Sequence, residues 1–91
     1  MFIHVIKETE NELKIEIEGE GHTFCNALQK VLLEDDKIDF AGYDIPHPLV
    51  SNPVVYVRTK ENRKPETAIR DAVKKLLNRS LEFKRAFEEV L

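Results

Sequence analysis

Residues 13–34 read LKIEIEGEGHTFCNALQKVLLE, and the change of hydrophobic period inside them decides the fold. Over Leu13-Lys14-Ile15-Glu16-Ile17-Glu18, apolar and charged side chains alternate without error, the pattern of a strand with one dry face and one wet face. Gly19 to Gly21 interrupts it. Phe24, Leu28, Val31 and Leu32 then recur at helical spacing, which puts them on one side of a helix running to about Glu34. Thr23 is expected to cap that helix, its hydroxyl accepting a bond from a first-turn N–H that has no partner within the helix.

Working outward, Phe2 to Lys7 mixes β-branched and aromatic residues and reads as a strand, joined to the next by a polar turn from Glu8 to Glu12. Asp35-Asp36 closes the first helix and faces water. Ile38 to Asp44 reads as a third strand, in which Gly42 permits a bend or a close approach. Pro46 and Pro48 cannot donate to a ladder, so Ile45 to Pro53 is a connection. Val54 to Thr59 is the fourth strand and Lys60 to Lys64 a charged loop. Pro65 suits the first position of a final helix, with Glu66 near its positive end. The order strand, strand, helix, strand, strand, helix predicts an α+β fold in one domain over residues 1–91: a four-stranded antiparallel sheet backed by two helices.

The final helix is too long for such a domain. Nothing breaks it from Pro65 to Leu91, a stretch of about 40 Å, whereas a chain of this size has a radius of gyration near ~12 Å. Ile69, Val73, Leu76, Ser80, Phe83, Phe87 and Val90 alternate steps of four and three, the spacing of a packing seam, and Ala72, Leu77, Leu81 and Leu91 widen it. The part from Ile69 to Leu77 is expected to lie on the chain's own sheet. Beyond it, little sheet remains to cover Phe83, Phe87 and Val90, and leaving them wet forgoes about 1.5–3 kcal/mol each. Such a stripe marks a partner surface. Glu88 and Glu89 stand at the negative helix end, which leaves the last turn weak until something packs on it.

Composition narrows the functional classes. Fourteen basic and seventeen acidic residues give a formal charge of −3, not the basic footprint of a chain that holds nucleic acid by itself. Lys74, Lys75, Arg79, Lys84 and Arg85 make the last helix locally basic and read as a solvated face. No apolar run approaches a membrane span, and no basic-then-apolar segment suggests a secretion signal. A single cysteine forms no internal disulfide and fits a reducing cytoplasm.

The residues offer little catalytic chemistry. Cys25 near a helix start with His22 one turn away has the outline of a nucleophile pair, but no third residue orients it, and a free cysteine is commonly a small buried hydrophobe. His4, His22, His47 and Cys25 lack the spacings of a zinc site. There is no phosphate-binding glycine loop and no nucleophile elbow, so no cofactor is expected. Tyr56 and Arg58 offer stacking and charge on a sheet face, but one aromatic is too few for an RNA-binding sheet.

Gly21-His22-Thr23-Phe24-Cys25-Asn26-Ala27-Leu28, then Phe40-Ala41-Gly42-Tyr43, then Pro46-His47-Pro48-Leu49, form an ordered array over almost the whole chain. The array resembles the small assembly subunits of archaeal and eukaryotic RNA polymerases, the subunit L family in archaea, themselves similar to half of the dimerising domain of the bacterial alpha subunit. Phe24-Cys25, where bacterial and eukaryotic relatives tend to carry Leu-Gly, favours the archaeal branch. The resemblance implies a protein that catalyses nothing itself. It implies heterodimer formation with the larger archaeal D subunit through the first and last helices, and a platform for the second-largest subunit joined by small subunits N and P. Carried over, the pairing residues are His22, Thr23, Phe24, Asn26, Leu28 and Val31 in the first helix and Leu81, Phe83, Phe87 and Val90 in the last. The nucleotidyl transfer and its magnesium belong to the two largest subunits. A different class of reading is a homodimeric α+β module that binds a small ligand, which needs a pocket with converging polar groups.

Overall fold

The computed structural model describes residues 2–45 and 52–90. Six elements follow in order: β1 (Phe2–Glu8), β2 (Glu12–Glu18), α1 (His22–Leu32), β3 (Ile38–Asp44), β4 (Val54–Thr59) and α2 (Pro65–Val90). The expected element order therefore holds, with β3 and β4 bounded as the sequence reads. The connection carrying Pro46, His47, Pro48 and Leu49 lies outside the described residues, as does Leu91.

The strands form one antiparallel sheet in the order β1-β2-β4-β3. Alternation along β2 puts Leu13, Ile15 and Ile17 on the dry face, opposite Val57 and Val55 of β4. Leu28, Val31 and Leu32 of α1 and Ala68 and Ala72 of α2 close the core over them. α1 packs on β3, while α2 packs on α1, β2 and β4. The chain extends 46 Å along its longest axis, and its radius of gyration of 14.5 Å exceeds the compact expectation because α2 runs 26 residues.

Three local details differ from the sequence reading. Gly19, at φ 94°, takes the left-handed turn that ends β2, and α1 starts one residue before Thr23, with Gly21 as its N-cap. The Gly21 carbonyl accepts the Cys25 N–H at 3.3 Å, and no side chain caps the helix. Thr23 is thus already inside the first turn and exposed, and its hydroxyl stands past the capping position. At the other end, tight three-residue bonds from Glu34 N–H to Val31 O and Asp35 N–H to Leu32 O wind the helix down before Glu34. Of the two acids that follow, only Asp36 faces water. Asp35 is half-buried and accepts the Lys37 N–H at 2.9 Å and the Arg63 guanidinium at 3.0 Å.

Arg63 joins three elements. It binds Asp35 after α1 and Asp71 on α2 at 2.8 Å, while its own carbonyl accepts the Thr59 hydroxyl at the end of β4. Asn11, in the β1–β2 turn, donates to the Thr59 hydroxyl and the Glu61 carbonyl, both at 3.3 Å. Further along, Arg79 donates two bonds to Glu34, at 2.9 and 2.6 Å. These contacts set the rotation of α2 about its axis, which matters for everything it carries downstream.

Two measurements test this packing. Ile17→Ala, at a side chain almost wholly buried, should cost about 2–5 kcal/mol in urea unfolding of the isolated chain, while Phe83→Ala should stay within about 0.5 kcal/mol. Equal costs would mean the tail is packed in the free chain. The Lys37 N–H and then Arg63 hold the Asp35 carboxyl below its ordinary value, so it stabilises the fold above that range and ceases to as pH falls through its folded pKa. Asp35→Asn should therefore lower stability at neutral pH, with the deficit shrinking below about pH 4. A deficit that persists unchanged into acid would show that the charge of the carboxylate contributes nothing.

Candidate pairing surface

The residues carried over from the first helix fall on different sides of the sheet's cover. Leu28 and Val31 point into the chain's own core, 2 % and 4 % exposed. Phe24 and Asn26 are half-buried, with Phe24 packed against the core's edge. His22 and Thr23 are exposed. The His22 ring meets Tyr43 edge-on, centroids 5.2 Å apart, with 2.8 Å between the Tyr43 hydroxyl and Nδ1. No sequence pattern singles out Tyr43 for this role. Only the fold brings it beside a histidine 21 residues away.

The tail residues stand together in solvent. Phe83 is 71 % exposed, Val90 81 %, and Leu81 and Phe87 are open as well. Phe83 and Phe87 stack on one another, centroids 6.1 Å apart and planes within 17°, an arrangement that holds one broad apolar plate on the helix surface. Acids crowd the helix end without a basic residue in its last turn. The cover expected for Ile69 to Leu77 is incomplete: Ile69 and Leu76 pack on the core, but Val73 and Leu77 are exposed. Helical periodicity fixes which residues share a side and says nothing of how wide a sheet lies beneath them.

Sequence reasoning found β1 but missed its exposure. Every residue of it is exposed, including Phe2, Ile3, Val5 and Ile6. The available signal was its lack of alternation, since a strand apolar on both faces needs cover on both. On the outer sheet face a second aromatic does accompany Tyr56. The Phe40 ring lies 5.6 Å away, with the Arg58 guanidinium 6.0 Å from its centroid, and a Cβ on Gly42 would meet that ring at 3.2 Å. Gly42 thus serves the close approach expected of it. Arg58 is held by Asp39 at 2.6 Å, and Asp44 and Glu16 flank the patch, so its charge does not invite a phosphate backbone. The shallow hollow there carries Lys14 and Asp44 as its charged groups, too few for a converging polar set.

Cys25 is almost wholly buried, and burial raises its thiol above the ordinary value, with Glu20 adding to the effect. A nucleophile needs the opposite shift. Among the described residues no group of histidine, cysteine and carboxylates is placed to hold a metal, and no helix is long and apolar enough to cross a membrane.

Three comparisons agree with this geometry. The family model described as the RNA polymerase Rpb3/Rpb11 dimerisation domain matches residues 12–86. DNA-directed RNA polymerase subunit Rpo11 of Methanocella arvoryzae is 44 % identical over 96 % of this chain and 94 % of its own length. The Rpo11 subunit of Methanothermobacter thermautotrophicus is 39 % identical over 97 % of this chain and all of its own. The crystal structure of DNA-directed RNA polymerase subunit L from Thermoplasma acidophilum superimposes with a TM-score of 0.86 at 34 % identity, covering 97 % of this chain and 86 % of that one. It carries the same sheet and two helices.

Cys25 should react with iodoacetamide at pH 8 at least about tenfold more slowly in the folded chain than in denaturant, because both exposure and thiolate are suppressed. Equal rates would show the α1 start to be open.

Proposed function

The chain belongs to the RNA polymerase Rpb3/Rpb11 dimerisation-domain family, and on that footing we propose that it is a non-catalytic assembly subunit of an archaeal DNA-dependent RNA polymerase that pairs with the polymerase's D subunit. The observation that carries the proposal is the tail of α2, where Leu81, Phe83, Phe87 and Val90 extend past the sheet with nothing over them. The mechanism is burial. Docking removes those side chains from water, covers the exposed start of α1 at His22 and Thr23, and braces the weak last turn. Phe24 and Asn26 border the contact, and Leu28 and Val31 support it from within the core. The pair then offers a platform to the second-largest subunit and to small subunits N and P in the cytoplasm, and nucleotidyl transfer takes place elsewhere in the enzyme. A burial mechanism accounts for a surface with an apolar tail, a buried cysteine and no converging polar pocket among the described residues. A ligand-binding module would leave the stacked phenylalanines without a role.

Co-expressed with an archaeal D subunit, the chain should purify as a one-to-one complex by light scattering. Phe83→Asp with Phe87→Asp should forfeit roughly 3–6 kcal/mol of burial, a loss of about 10²–10⁴ in affinity, while circular dichroism of the isolated variant stays that of the parent. Retained nanomolar pairing by calorimetry in the double variant would sink the tail assignment.

A further inference from the structure

Arg79 stands where the pattern of α2 asks for an apolar residue. Counting roughly 100° per residue, Ala72, Leu76, Arg79, Phe83, Phe87 and Val90 share an arc of roughly 80°. Within that arc Arg79 is the one charged residue of the helix. Ala72 lies in the core and Leu76 packs at its edge, while Phe83, one turn beyond Arg79, is open to solvent. The charge therefore sits at the point where the line leaves the chain's own core.

Its partner is equally out of place. Glu34 follows the C-cap of α1, where the negative end of a helix disfavours an acid. The preceding Leu33 is 53 % exposed. Arg79 answers Glu34 with two parallel bonds, from Nη1 to Oε2 at 2.9 Å and from Nη2 to Oε1 at 2.6 Å. The guanidinium holds the Glu34 carboxyl below its ordinary value, and Lys75 adds to the effect, so the pair is ionic at neutral pH. In the free chain the Arg79 and Glu34 side chains are 52 % and 43 % exposed, and such a pair adds little to folding. Neither the end of α1 nor the core requires it. A body lying on Phe83 also reaches Arg79, since side chains four residues apart are neighbours on a helix surface, about 6 Å between Cβ atoms.

We propose that Glu34 and Arg79 are a positioning pair for assembly: the partner dimerisation domain that covers Phe83 and Phe87 also closes over them, and the enclosed pair aligns the end of α1 with the tail of α2. The inference rests on the pairing reading above and adds Leu33, Glu34 and Arg79 to its surface. The two charges neutralise one another before the partner arrives, so an apolar partner surface meets no lone charge. Once enclosed, the pair ceases to be weak. Removing one member leaves an uncompensated charge away from water, whereas replacing both by apolar side chains of similar volume is close to neutral. A pair left in solvent shows no such coupling.

A double-mutant cycle separates the two settings. Glu34→Met, Arg79→Met and the two together are compared in urea unfolding of the free chain and in calorimetry against an archaeal D subunit. Circular dichroism checks that each variant is folded. In the free chain, the coupling between the two positions should stay under about fivefold in the folding constant. In binding, each single change should weaken affinity by about tenfold or more, and the double variant should return to within about threefold of the parent. Losses that simply add in binding, or a coupling no larger than in the free chain, overturn the proposal. If that happens while Phe83→Asp with Phe87→Asp still dissociates the complex, the tail pairing stands without this pair. If the unaltered chain forms no complex, both readings fall together.

Discussion

The length of α2 relative to the sheet it covers governs the rest of this structure. At 26 residues the helix spans about 39 Å, against about 23 Å for a seven-residue strand. Its inward line divides accordingly. Over the core the line is built of Ala68 and Ala72, small enough to let the helix settle close to β2 and β4, with Leu76 at the border. Past the sheet the same line continues as Phe83, Phe87 and Val90, side chains with far more area to remove from water. The sizes suit two distinct contacts: alanine makes the close approach to the chain's own sheet, and phenylalanine would make the wide approach of the proposed pairing.

That division also bears on why the chain has so much exposed apolar surface. A small domain already buries a limited fraction of its area, and leaving β1 and the α2 tail uncovered reduces it further. The isolated fold is then held by a narrow core of β2, β4, β3 and the two helices, supplemented by the Asn11, Thr59, Arg63 and Asp35 contacts. The proposed docking of a second chain on the tail would couple stability to partnership, since anything that binds the folded state alone raises its stability by mass action.

The strands and helices were legible in the sequence wherever a local pattern decided them. Leu13 to Glu18 alternates because its two faces see different solvents, and Pro65 opens α2 because its missing N–H costs nothing there. What was illegible depended on neighbours distant in sequence. The α1 cap moved to Gly21 because the Gly19 turn delivers the chain to the helix two residues earlier than a Thr23 cap requires. Leu28 and Val31 lie on a stripe that periodicity cannot divide between a domain's own core and its partner. Val73 and Leu77 fell on the wrong side of that division because the strand order, and hence the width of sheet beneath α2, is not written in helical spacing. The His22–Tyr43 contact likewise needed the register of β3 before it had any meaning.

The polar contacts on the α1 side of α2 gain a role in this light that their energies alone would not suggest. Exposed ion pairs such as Arg79 with Glu34 contribute little to stability, typically below about 1 kcal/mol. Their effect is angular. A rotation of α2 by a single residue, roughly 100°, would turn Phe83 and Phe87 away from the side that continues the core. Alanines at the contact offer smooth surfaces that resist such rotation poorly. Arg63 clamped to Asp71 near the start of the helix and Arg79 to Glu34 two turns further on fix the azimuth at two separate heights. Charges worth little as stabilisers thereby determine where the apolar surface is aimed, and the proposed pairing, made of undirected burial, would take its direction from them.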